Sequence, residues 1–134
     1  EPVTHDGSAF RLRDARVLPS PVQHPRPPVW LGCVWPHHRP LRRAARYDGV
    51  FPVSHDRSLS GDDVRELLEV IAAHRPPDAG PFDVVVTNRE LPDAERAAEL
   101  AAAGTTWWVQ GFGERPLLAD VQAAADAGPP QWVR

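Results

Sequence analysis

The pattern of hydrophobic and polar positions alternates between short apolar runs and longer segments with apolar residues at helical spacing. The apolar runs are Val29 to Gly32, Val50 to Val53, Phe82 to Thr87 and Thr105 to Val109. Short runs without strict polar alternation are typical of strands that are buried on both faces of a parallel sheet. We therefore predict four parallel strands in sequential order.

Each predicted strand precedes a segment with the features of a helix. The segments begin at Pro40, Ser60, Asp93 and Pro116. The first runs through Tyr47, the second has Ala72 as the last position of its apolar face, the third leads to Gly104, and the run Gly128-Pro129-Pro130 stops the fourth. Ser60 and Asp63 have the spacing of a capping box, Asp93 is a favoured N-cap residue, and glycine is the favoured stop. In the last segment, Leu117, Leu118 and Val121 are predicted to form an apolar stripe. Four strand–helix units result.

These units predict an α/β fold in a single domain spanning residues 1–134. Four β/α units are half of an eight-fold TIM barrel, and a four-stranded open α/β sandwich is the alternative. Residues 29–134 would hold the four units, and residues 1–28 an extended Pro-rich arm or hairpin, with Arg13 and Asp14 near its bend. The prolines at 19, 21, 25, 27 and 28 favour an extended chain.

Composition and charge narrow the class of protein. The chain has 15 basic and 18 acidic residues, every basic one is Arg, and nothing in this balance indicates a nucleic-acid partner. No apolar run approaches the roughly 20 residues of a membrane span, and no signal peptide is visible. The single cysteine, Cys33, fits a reducing compartment. We expect a cytoplasmic protein with a small-molecule substrate, and a chain that is processed, trimmed or partial because it begins at Glu1.

Candidate chemistry is expected in the loops at the carboxyl ends of the strands, where parallel β/α folds bind ligands. The four loops are Cys33 to Arg39, Ser54 to Leu59, Asn88 to Pro92 and Gln110 to Arg115. The first is the richest, because Gly32 permits close backbone approach and a helix N-terminus follows. We predict an anion, such as a phosphate, at the backbone of Gly32, Cys33, Val34 and Trp35, with Arg39 as its side-chain partner. Arg42, Arg43 and Arg46 are interpreted as a solvated helix face.

Other reactive or aromatic residues receive structural interpretations. Cys33, His37 and His38 are close in sequence, but no second ligand pair has a familiar spacing, so no metal site is predicted. No catalytic residue is assigned. Asp48 is expected in a turn at the amino end of its strand. Trp107 and Trp108 are expected on opposite sides of their strand, one filling the interior and the other packing under helices.

The order and spacing of several motifs resemble the luciferase-like monooxygenase family over nearly the whole chain. The motifs are FRLRDARVLPSPVQHPRPPVWLG, RRAARYDGVFP, FDVVVT and DAERAAELAAAGTTWWV. In that family the loop after the strand PPVWLG often has two glycines and, in several members, helps hold the cofactor phosphate. The resemblance carries this role onto Gly32, whereas Cys33 stands where the second glycine is common, which disfavours a positive φ there.

The resemblance implies the C-terminal half of a TIM-barrel oxidoreductase or monooxygenase that uses FMN or the deazaflavin F420. The four N-terminal strands of the family are absent from this sequence. It therefore implies a fragment, a truncated product or a half-barrel that pairs with a second copy or a complementary half-barrel chain. The chain would contribute contacts to the cofactor phosphate. The alternative is a non-catalytic half-barrel scaffold or assembly module that has lost the cofactor site.

Overall fold

A computed structural model describes residues 2–19, 21–88 and 93–129 and shows a mixed α/β chain. A two-stranded antiparallel hairpin precedes a four-stranded parallel sheet whose strands alternate with helices. The elements are β1 Val3–Asp6, β2 Arg11–Ala15, β3 Trp30–Val34, α1 His38–Ala44, β4 Gly49–Val53, α2 Gly61–Ala72, β5 Asp83–Asn88, α3 Ala94–Ala103, β6 Trp107–Gln110 and α4 Leu118–Ala127. None of the described helices has the length and apolar character needed to cross a membrane.

The parallel sheet has the strand order β3-β4-β5-β6, which confirms the four predicted strands and their sequential order. Its register places Gly32 opposite Phe51 and Val85 opposite Trp107. β5 and β6 pair in parallel, as strands joined by a crossover helix do. The interpretation of this sheet as half of a barrel stays a prediction.

One face of the sheet packs against α1, α2 and α3 and forms the core. Leu31 and Cys33 alternate toward this side from β3, as Val84 and Val86 do from β5. The helices contribute Leu41, Leu67, Ile71 and Leu100, all at most 2% exposed. This alternation sorts the side chains of each strand into a helix-covered set and an opposite set.

The opposite side of the sheet, which we call the open face, carries Trp30, Gly32, Val34, Gly49, Phe51, Val53, Asp83, Val85, Thr87, Trp107 and Val109. The Trp30 indole Nε1 donates to Asp83 Oδ2 at 3.1 Å, and its ring centroid lies 5.4 Å from that of Trp107. The two tryptophans stand on β3 and β6, separated by three strand spacings, or roughly 14 Å. Their contact indicates a sheet that curves toward the open face.

Two tryptophans on β6 have the opposite orientations that the sequence predicts. Trp107 lies on the open face and remains 52% exposed, whereas Trp108 packs against the core beneath the helices.

Asp48 precedes β4 and accepts hydrogen bonds from the Val29 N–H at 2.6 Å and from Arg26. Its predicted structural position at the amino end of the strand is therefore confirmed, and it fastens the segment before β3.

The caps of α2 and α3 agree with the sequence prediction. Ser60 and Asp63 form a complete capping box at α2, and Asp93 Oδ1 accepts from the Arg96 N–H at 2.7 Å at α3. α3 ends at Ala103, and its C-cap Gly104 has a φ of 111°, the left-handed conformation that favours glycine. Both helices therefore begin where their capping residues place them, and α3 also ends before its predicted glycine.

The starts of α1 and α4 differ from the prediction. α1 begins at His38, two residues before Pro40, because proline is tolerated within the first turn of a helix. α4 begins at Leu118, so the predicted stripe is wrong: Leu117 precedes the helix, and both leucines are about 70% exposed. α4 ends at Ala127 before Gly128, and the predicted stop at Pro130 lies outside the described residues.

The amino-terminal region also departs from the prediction. The chain reverses between β1 and β2, where the Gly7 N–H donates to Phe10 O, and not at Arg13 and Asp14. Those two residues lie at a register shift in β2, where Asp14 has a φ of 48°. The described residues between β2 and β3 form no helix or strand, and an extended arm stays a prediction.

Candidate functional site

A cavity of about 610 Å³ opens at the carboxyl edge of the parallel sheet. It lies where β4 and β6 end and beside Thr87 near the end of β5, the edge at which parallel β/α folds bind ligands. Its lining consists of Pro52, Val53, Ser54, His55, Asp56, Arg57, Ser58, Leu59, Thr87, Gly111 and Phe112. The second and fourth predicted loops thus form its walls.

The loop from Ser54 to Leu59 is fixed at its far end by helix α3. Leu59 is 5% exposed within the core, and its carbonyl accepts a hydrogen bond from Arg96. Glu99, on the next turn of α3, accepts from the Gly61 N–H at 2.8 Å. Backbone groups at the start of α2 are therefore satisfied by side chains of α3, and the loop is held against the sheet.

Asp63 joins three segments beside this cavity. Its carboxylate accepts from the Ser60 N–H at 2.6 Å, from Ser60 Oγ at 2.8 Å and from the Trp35 indole Nε1 at 3.0 Å. Trp35 belongs to the loop after β3, so a residue in the first turn of α2 connects the first and second loops. Asp63 is buried, and these donors replace the water that its charge has lost.

Arg57 completes this network from the wall of the cavity. Its Nη1 lies 2.5 Å from Asp63 Oδ2, and its Nη2 lies 2.8 Å from Asp63 Oδ1. The hydrogen bonds from this guanidinium are the main cause that holds the pKa of Asp63 well below its usual range, and the Asp63 carboxylate in turn raises the pKa of Arg57. The pair is thus charged at neutral pH, with the Arg57 side chain 56% exposed and that of Asp63 only 10%.

The structure separates the side chains that the sequence assigns to an anion site. Gly32 and Val34 lie on the open face, and a Cβ at Gly32 would meet nothing within 4 Å. Cys33 and Trp35 are buried, and burial raises the pKa of the Cys33 thiol to about 11. Arg39 is the second residue of α1 and is exposed. An anion at this loop stays a prediction.

The backbone N–H groups of this loop are partly engaged by the fold. The Trp35 N–H donates to Val53 O at 2.9 Å, and the His37 N–H donates to Val34 O at 3.0 Å. His37 is the N-cap of α1 but makes no side-chain capping bond. The predicted donors are therefore not all available to a ligand, although the space above Gly32 is open.

The histidines after β3 are not brought together with Cys33. The Cys33 thiol points into the core, whereas His37 and His38 are exposed. His38 Nε2 lies 3.5 Å from Glu66 Oε1. In the part of the chain that the structure describes, no three His, Cys, Asp or Glu side chains are grouped so that they could hold a metal ion.

Sequence reasoning identified the loop from Ser54 to Leu59 but missed Arg57. The residue had one local signal, its position three residues before the predicted cap at Ser60. The cavity itself depends on Thr87 and Phe112, which are remote in sequence and meet the loop only through the strand order. The third predicted loop lies mostly outside the described residues, since residues 89–92 are not described.

Comparison with known proteins bears on the whole chain. The family model for luciferase-like monooxygenases matches residues 1–132 of the 134. Searches of curated proteins and of solved structures gave no significant match. The match covers the hairpin, the parallel sheet and the cavity together, so the chain belongs to the luciferase-like monooxygenase family.

Proposed function

We propose that this chain is the C-terminal half of a (β/α)8-barrel oxidoreductase that uses a flavin or deazaflavin cofactor. The observation that carries the proposal is the cavity at the carboxyl edge of a parallel sheet in a member of this family. Ligands of (β/α)8 barrels bind at that edge, so the cavity would form one wall of the cofactor and substrate site.

The open face supports a barrel over a flat sheet. It is apolar across much of its area, it curves inward, and four of its large apolar side chains are exposed by 37–52%: Trp30, Val34, Trp107 and Val109. Within a barrel the inward-facing side chains fill the interior in layers, and the tryptophans Trp30 and Trp107 would form part of one layer. A complementary half-barrel would supply four further strands and pair with the edges β3 and β6.

The cavity is suited to part of a cofactor or substrate. Its volume of about 610 Å³ lies within the range of roughly 300–1,000 Å³ that holds small ligands. Val53 and Phe112 offer apolar surface beside the hydroxyl of Ser54. When bound, a reduced flavin or deazaflavin activates oxygen or passes a hydride. The residues of this chain would bind and orient the ring and exclude water.

The phosphate of the cofactor is proposed to lie near Gly32 and Val34, with Arg39 as its charged partner. The open space above Gly32 would admit it, and the exposed Arg39 would reach it from the first turn of α1. Arg46 follows the end of α1, close to the amino end of β4, and is also exposed, so it provides a matched control.

A non-catalytic scaffold is the second candidate. One observation favours it: the Trp35 N–H is already bonded to Val53 O and the Cys33 side chain lies in the core, which reduces the donors available to a phosphate. Such a chain would keep the sheet for assembly and bind no cofactor.

Cofactor titration of the purified chain separates the two candidates. We expect FMN or F420 to bind with retained visible absorbance after dialysis. Arg39→Glu should weaken the binding by about 1–3 kcal/mol, as expected for a charge-assisted hydrogen bond. Arg46→Glu should leave the affinity within about twofold of wild type, since an exposed charge about 10 Å further along the helix axis is largely screened. A folded chain that retains neither cofactor would support the scaffold.

A further inference from the structure

We propose that Arg57 binds the carboxylate of a small molecule with an apolar body inside the cavity at the carboxyl edge of the sheet. The inference deepens the proposed function by naming a ligand class, and it rests on that function only in taking the cavity as the ligand site. It is based on the hydrogen bonds of the Arg57 guanidinium and on the residues that line the cavity around it.

The guanidinium of Arg57 is bonded along one of its two donor edges. Nη1 donates to Asp63 Oδ2 at 2.5 Å and to Ser58 O at 3.1 Å, and Nη2 donates to Asp63 Oδ1 at 2.8 Å. Of the five N–H groups of an arginine, those contacts leave the Nε–H and the second Nη2–H. Among the residues that the structure describes, neither has a hydrogen-bond partner.

These two N–H groups lie side by side and parallel on one edge of the planar guanidinium. That spacing matches the two oxygens of a carboxylate, which arginine binds with two parallel hydrogen bonds. Arg57 lines the cavity and its side chain is 56% exposed, so a ligand can reach it. Arg57 can thus bind Asp63 and an external carboxylate at the same time.

The orientation of Arg57 is set before a ligand arrives. Asp63 is buried and is itself held by Ser60 and by the Trp35 indole, so it forms a fixed support for the guanidinium. A side chain that is already ordered loses less conformational entropy on binding than a free surface arginine. The two-point contact to Asp63 therefore favours a ligand whose geometry matches the remaining edge.

The charge and polarity around Arg57 favour a monoanion with an apolar body. Asp63 offsets the formal charge of Arg57, so recognition depends on paired hydrogen bonds more than on net charge. His55 and Asp56 are exposed and line the same cavity, where they add polar surface beside the guanidinium. Val53 and Phe112 offer apolar surface to the remainder of the ligand.

The test is a calorimetric titration of the full chain with benzoate, without any flavin. Benzamide has the same shape without the charge, and we expect benzoate to bind at least about tenfold more tightly because it pairs both oxygens with the arginine edge. Arg57→Lys keeps the charge but loses the paired donors, so it should remove most of that preference. Arg65→Lys alters another arginine, which is bonded to Asp62 on the surface of α2, and should leave the preference unchanged.

Several results would overturn the inference. Equal affinity for benzoate and benzamide, or an unchanged preference in a folded Arg57→Lys variant, would exclude a carboxylate at Arg57. Inorganic phosphate that binds at Arg57 more tightly than benzoate would overturn the assignment to a carboxylate. FMN titrations of the same samples keep the proposals apart, since a chain that binds FMN but not benzoate would contradict this inference alone.

Discussion

At the scale of single residues, two glycines on neighbouring strands differ in what the fold requires of them. A Cβ at Gly49 would lie 2.6 Å from Trp30 Cδ1 and 2.7 Å from the backbone oxygen of Asp83. Gly32 lies on β3 and on the same face of the sheet, but a Cβ there would meet nothing within 4 Å. The sequence motif drew attention to Gly32, whereas Gly49 is the position where the fold has no room for a side chain. The sequence could not show this, because the crowding at Gly49 comes from residues on two other strands.

We expect Gly49→Ala to lower the free energy of unfolding by about 1–3 kcal/mol, the usual cost of overpacking, since a backbone oxygen cannot turn away as a side chain can. Gly32→Ala serves as the matched control. It should change the free energy of unfolding by less than about 1 kcal/mol, in the stabilising direction, because alanine loses less backbone entropy than glycine. Urea unfolding followed by circular dichroism measures both. Equal destabilisation by the two substitutions would contradict the contact between Trp30 and Gly49.

At the scale of elements, the best-predicted helices are those with capping side chains. The pattern of Ser60 and Asp63 is local and was sufficient to place the start of α2. The starts of α1 and α4 were predicted from Pro40 and Pro116. Proline is tolerated at several positions near a helix start, so it defines the first residue less precisely than a hydrogen-bonded N-cap does. The further contacts of Asp63, to Trp35 and Arg57, could not be predicted, because one comes from the loop after another strand and the other has no fixed helical spacing.

The cap of α2 leads to a prediction about pH. The folded pKa of Asp63 is lowered, chiefly by its hydrogen bonds to Arg57, so its stabilising effect is present above the unfolded pKa of about 3.9 and is lost as the pH falls toward the folded value. At pH 7, Asp63→Asn should lower the free energy of unfolding by about 2 kcal/mol, as expected for hydrogen bonds to a charged group. Below about pH 4 the difference between wild type and variant should narrow, since the asparagine does not titrate.

Asp62→Asn is the control for this experiment. The Asp62 side chain is 94% exposed on the same turn, so the substitution should change stability by less than about 0.5 kcal/mol at any pH. Urea unfolding at a series of pH values measures the effect. A difference between wild type and Asp63→Asn that stays constant down to pH 3 would show that Asp63 does not act through its charge.

At the scale of the whole molecule, the strand order followed from the sequence more readily than the site did. Each strand–helix unit is encoded within about 25 residues, and parallel crossovers of this kind have one strongly favoured hand. The cavity depends instead on Ser54 to Leu59, Thr87 and Phe112, which approach one another only after the sheet has formed. A cavity lies at the edge of the sheet where the sequence predicts a site, and which of the loops form that cavity required the structure.

The open face and the unpaired edges of β3 and β6 predict that this chain self-associates. Exposed strand edges and apolar surface are features that proteins cover, and a second copy could do so if the strand tilt and stagger allow it. Light scattering should give a mass that rises with concentration above the 14.8 kDa of one chain.

A charge placed on the open face tests which surface is involved. Val109→Asp, at a site 40% exposed on the open face, should weaken the association about tenfold or more, because a buried unpaired charge is costly. Val22→Asp, at a site 94% exposed between β2 and β3, should leave it unchanged. If instead the mass stays at 14.8 kDa at every concentration, the open face does not bind a second copy, and four strands from a different chain become the occupant that a barrel would require.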